Sequence, residues 1–120
     1  MTLPNQPSRP SFIKKAILVL GLSTGLIHLV VLNLLLVADG KGIDLLFTFN
    51  GLGYLVLMAA YFNPRMAPRR TYIRWLTIVY SLLTILAWFI LGTPGWLGIL
   101  TKLIEIALVI FLLLDGRKTE

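Results

Sequence analysis

The sequence predicts an all-α membrane protein: four apolar helices packed antiparallel as a transmembrane bundle, with both termini on the cytoplasmic side. Three observations carry that prediction. Of 120 residues, 58% are hydrophobic and 13% charged, against about 25% charged in an average soluble domain. The apolar residues fall into four runs of 19 to 23 residues, at 16–38, 43–62, 72–91 and 96–114. Each is long enough to cross a hydrocarbon core of about 30 Å as a helix. The basic residues, finally, gather at one end of these runs.

Residues 1–15 form a polar, proline-containing segment, expected to be a disordered cytoplasmic tail. The run behind it is too long for a signal-peptide core and has no small-x-small cleavage site, so it reads as a retained first helix. Asp39-Gly40-Lys41-Gly42 is a short turn, with Asp44 placed to cap the second helix. Pro64 ends that helix by disfavouring the helical conformation at Asn63, and Pro68 is expected to keep the next residues irregular. In Gly92-Thr93-Pro94-Gly95, Thr93 suits an N-cap and Pro94 the first helical position. Asp115-Gly116 reads as the end of the fourth helix, leaving 115–120 as a second cytoplasmic tail. The runs do not alternate, which argues against a β-barrel, and connections this short make neighbouring helices antiparallel.

The net charge of +6 is absorbed by topology rather than by nucleic acid. Nine of eleven Lys and Arg residues flank the runs on one side: Arg9, Lys14 and Lys15; Arg65, Arg69, Arg70 and Arg74; Arg117 and Lys118. The opposite side has Lys41 beside two aspartates. Positive charge marks the cytoplasmic face, and the four arginines of the middle connection are placed to meet anionic headgroups. The expected location is the cell membrane, with the bilayer and other membrane subunits, or further copies of the chain, as partners. With no cysteine, a disulfide framework and a cysteine metal or redox site are excluded. No metal, cofactor or catalytic set is read from the sequence.

The informative residues are polar ones inside the runs, because a charge at the bilayer centre costs about 2.5–3.5 kcal/mol on the insertion scale. At about 1.5 Å per residue, His28, Thr84 and Glu105 fall about 16–18 Å from the cytoplasmic end. Lys102 and Asn50 share a layer about 10 Å from the outer surface. Helical spacing groups Gly21, Thr24, Gly25 and His28 on the first helix, and Asn50, Gly53, Tyr54 and Tyr61 on the second. It groups Thr77, Tyr80, Ser81, Thr84 and Trp88 on the third, and Gly98, Lys102 and Glu105 on the fourth. Gly21 and Gly25 form a small-xxx-small contact signal. Lys102 and Glu105, three residues apart, can pair on their own helix, with His28 and Asn50 as expected hydrogen-bond partners.

Two functional readings of this layer remain open beside a structural one. Glu105, Lys102 and His28 can form a proton, ion or polar-substrate path in an oligomeric transporter or channel. As the only histidine, His28 can also be an axial ligand to a haem or pigment. Asp39 and Asp44 are read as turn and cap residues before a weak cation site. Asn50-Gly51-Leu52-Gly53 is not a phosphate loop, since it lies in an apolar run with no Lys-Ser or Lys-Thr after it.

Short motifs add a resemblance. Gly25-Leu-Ile-His28-Leu, Gly51-Leu-Gly53-Tyr54-Leu, and Leu97-Gly98 with Lys102-Leu-Ile-Glu105 resemble small four-span membrane proteins of unknown function from archaea and some bacteria. The resemblance covers about residues 16–114 and implies a four-helix membrane fold, with no activity attached. The expected role is thus a non-enzymatic accessory or scaffolding subunit.

Overall fold

The computed structural model describes residues 12–91 and 95–119. These form four helices and no strand: α1 (Phe12–Ala38), α2 (Leu45–Phe62), α3 (Arg70–Leu91) and α4 (Trp96–Thr119). All four contain stretches long and apolar enough to cross a membrane, which is compatible with a membrane protein. Helix α1 packs on α2 and α4, and α3 packs on both of these as well. Large apolar side chains such as Leu34, Phe49, Val56, Leu83, Phe89 and Ile90 are exposed on the outside. Soluble monomers rarely show contiguous apolar surface on that scale.

The helix ends differ from expectation in two places. Helix α1 starts at Phe12, so residues 12–15 of the expected tail are helical and only 1–11 lie outside the described residues. Helix α4 does not stop at Asp115-Gly116 but continues to Thr119. A Cβ at Gly116 would sit 2.3 Å from Cζ of Arg74. That glycine makes room for a guanidinium rather than ending a helix. Thr93 and Pro94, expected to start α4, lie outside the described residues.

The α2–α3 connection is more regular than Pro68 implied. Pro64–Arg69 winds as a 3-10 segment capped by Asn63, whose Oδ1 accepts from the Arg65 N–H at 3.0 Å. Asn63 itself is extended (φ −77°, ψ 121°), as a residue before proline should be. At the opposite end, Gly40 and Gly42 take up φ of 75°, which side chains rarely adopt. Asp44 caps α2 through Oδ1, which accepts from the Phe47 N–H at 3.0 Å.

One irregularity sits inside α1. Residues Ile27–Val31 form a π-helical turn, and the Leu32 N–H bonds back to the carbonyl of Ile27, five residues earlier. Asn33, rather than Leu32, therefore follows His28 on the buried side. Its Nδ2 donates to Thr48 Oγ1 at 2.9 Å, and its Oδ1 accepts from the Asp44 N–H at 2.9 Å. This staple joins the far end of α1 to the start of α2.

Candidate functional site

Glu105 lies at the centre of the buried polar layer with 0% exposure. The three-residue spacing on α4 brings Lys102 onto it, with Nζ 2.8 and 2.7 Å from the two carboxylate oxygens. From α1, Thr24 donates its hydroxyl to Oε1 at 3.2 Å. His28 places Nε2 3.8 Å from the same oxygen, within ion-pair reach but beyond a hydrogen bond. The other ring nitrogen, Nδ1, lies 2.8 Å from the Thr24 carbonyl. A carbonyl only accepts, so Nδ1 carries the hydrogen. Nε2 faces Oε1 of Glu105 without a hydrogen bond between them.

The cluster is enclosed: His28 is 4% exposed and Lys102 6%. The His28 ring meets Phe47 edge-on, with centroids 6.2 Å apart, and stacks on Tyr54 at 6.4 Å. Nδ1 is thus held on a carbonyl, and Nε2 is turned towards Glu105.

The expected layer of Asn50 with Lys102 is not what forms. Asn50 Nδ2 reaches Thr84 on α3 at 3.5 Å, and its Oδ1 is buried without a hydrogen-bond partner among the described residues. Thr84, expected beside His28 and Glu105, is thus Asn50's neighbour, and its hydroxyl donates to the Tyr80 carbonyl at 2.9 Å. Helix α2 turns Asn50 towards α3. Tyr54 and Tyr80 meet edge to face at 4.9 Å. Tyr54 donates to Ser81 at 3.1 Å, and Tyr80 to the Asn50 carbonyl at 2.8 Å. These two tyrosines hold α2 to α3.

The glycine contact also takes a different form. Gly21 faces Met58, whereas the tight approach joins Gly25 to Gly51 of α2. A Cβ at Gly51 would come within 2.6 Å of the Gly25 carbonyl oxygen and the Leu29 nitrogen.

A second polar cluster, not anticipated from the sequence, occupies the end that carries Phe12, the 64–69 segment and Thr119. Lys14 Nζ donates to both carboxylate oxygens of Asp115, at 3.0 and 3.1 Å, and the Tyr61 hydroxyl donates to Oδ2. Arg70 Nε bonds to the Tyr61 carbonyl at 3.0 Å and so satisfies the last turn of α2. Arg74, expected as an interfacial topology charge, is 5% exposed; its Nη1 reaches the Leu112 carbonyl at 3.4 Å. Arg65 and Arg69 are exposed, as expected. Tyr61→Phe should lower stability by about 1.5–3 kcal/mol, the usual worth of a hydrogen bond to a charged group. Thermal unfolding in mild detergent reads that loss, and an unchanged midpoint would remove Tyr61 from the network. A signal for this cluster was present in the sequence: an aspartate at the end of an apolar run, opposite Lys14 and Lys15 at the start of another.

A family model matches residues 3–114 and describes a family of unknown function, DUF7475. That agrees with the resemblance to an uncharacterised family. No curated protein and no solved structure matches the chain.

Proposed function

We propose, for a chain that belongs to the DUF7475 family, the role of a non-enzymatic accessory or scaffolding subunit of a membrane complex. In this reading the chain is an antiparallel four-helix transmembrane bundle of the cell membrane, with both termini and the arginine-rich 64–69 segment cytoplasmic. The observation that supports it is where the polar groups go. Thr24, His28, Lys102 and Glu105 partner one another inside, and the outward faces are apolar. Such a layer fixes helix register and leaves the outer surface for lipid and for neighbouring membrane helices. The charge asymmetry of the two ends supports the orientation. The test is extraction of the tagged chain from its native membrane in mild detergent, followed by native electrophoresis and identification of co-purifying chains. Stoichiometric membrane partners, or a defined homo-oligomer, are expected; a monodisperse, partner-free monomer would overturn the subunit role.

One observation favours a second reading, an oligomeric proton-coupled transporter or channel. His28 sits in the π-helical turn, and such turns recur at functional sites. A closure of about 1 Å would bring Nε2 into hydrogen-bond range of Glu105. Proton flux into liposomes that disappears in Glu105→Gln would replace the first reading with this one.

A further inference from the structure

A cavity of about 240 Å³ opens beside the second polar cluster, lined by Tyr61, Ala67, Arg70, Thr71, Arg74 and Asp115. That is less than the ~300–1,000 Å³ of a typical small-molecule cleft and has room for a group the size of a phosphate with a few waters.

Its charges are fixed in place. Arg74 is nearly buried: it reaches the Leu112 carbonyl, its Cζ lies 4.8 Å from the Trp75 ring centroid, and the bare backbone of Gly116 lies beneath it. Arg70 is anchored through Nε, which leaves its terminal nitrogens as donors. The one carboxylate on the wall, Asp115, already accepts from Lys14 and Tyr61. Among the described lining residues, two guanidinium groups stand beside one carboxylate. Paired guanidinium forks in a recess suit the oxygens of a phosphate group. The cavity lies at the end of the apolar spans, where phosphates of a bilayer would stand.

We propose that this cavity is a specific site for a phosphate group, carried by an anionic lipid headgroup or by a soluble phosphate ester. The proposal rests on the membrane reading of the four helices and is independent of the subunit role. Arg70 and Arg74 bind the phosphate oxygens, Thr71 contributes a hydroxyl, and Ala67 lines the cavity with only a methyl group.

The full chain, purified and stripped of lipid in a neutral detergent, is titrated with phosphatidylglycerol or phosphatidylcholine and followed by native mass spectrometry. In parallel, its thermal midpoint is followed with inorganic phosphate. One phosphatidylglycerol should be retained in preference to phosphatidylcholine. Arg70→Gln/Arg74→Gln should weaken retention about tenfold or more, as loss of charge-assisted bonds does. Ala67→Leu keeps every charge but puts a larger side chain in the lining, so it should weaken retention similarly even if the arginine variant folds poorly. Arg65→Gln/Arg69→Gln removes two exposed charges that do not line the cavity and should have little effect. A saturable rise in midpoint with phosphate, absent in Ala67→Leu and without lipid preference, would assign the site to a soluble ester. Equal losses in both arginine pairs, or undiminished binding in Ala67→Leu, would overturn the proposal, as would binding of neither lipid nor phosphate.

Discussion

Glu105→Gln is expected to destabilise the protein by about 3–5 kcal/mol, the range for breaking a buried ion pair by removing one partner. The carboxylate holds Lys102 with two contacts and accepts from Thr24. An amide offers Lys102 one oxygen, and the ammonium remains in an interior where its side chain is 7% exposed. The lysine has two ways out: it can stay poorly compensated, or it can swing towards an interface along its flexible stem and empty the space beside residue 105. Either costs packing. The double variant Lys102→Met/Glu105→Gln separates the loss of a partner from the value of the pair. The second change removes the uncompensated ammonium, which is the main cost of breaking a buried pair, so most of the lost midpoint in detergent should return. A single variant as stable as wild type would end the view that Glu105 anchors the buried layer between α1 and α4.

Gly51→Ala should cost about 1–3 kcal/mol, the usual price of overpacking, even though alanine is the better helix former by about 1 kcal/mol. The reason is what the methyl meets. At Gly51 it would meet the backbone of Gly25 and Leu29 at 2.6 Å, and backbone does not yield without moving α1 away from α2. At Gly21 it would meet the thioether of Met58, 2.2 Å away but on a flexible side chain. Gly21→Ala should therefore be the milder change. Thermal midpoints of the two variants in one detergent decide it, and the reverse order would mean that α1 and α2 do not approach as closely as Gly25 and Gly51 allow.

The spans and the Lys102–Glu105 pair were legible because hydropathy and three-residue spacing act within one helix. Depth counting also brought His28 to Glu105, since helices that run side by side share a vertical scale. Counting along each helix does not give its rotation about its own axis, and that rotation sent Asn50 to Thr84. Gly51 was passed over because its partner glycine lies on another helix. Asp115 was misread because Asp-Gly is a strong local stop signal. Lys14, Tyr61 and the approach of Arg74 to Gly116 override it through contacts from three other helices. Asn33 escaped because an uninterrupted 3.6-residue period passes from His28 to Leu32.

The wide turn at Ile27–Val31 amounts to one surplus residue taken up within a helix instead of in a loop. It sets the two halves of the first helix out of phase by one position, about 100°. Removing one of residues 29–31 would close the turn to an ordinary one and leave the asparagine four places after the histidine, on the same side. A deletion between Ile17 and His28 would swing part of the buried stripe out of line, and one between Lys14 and Ile17 would turn Lys14 away from Asp115. The first helix is thus tolerant of length variation inside the segment that bears its only ionisable buried side chain, and strict in the turns before it.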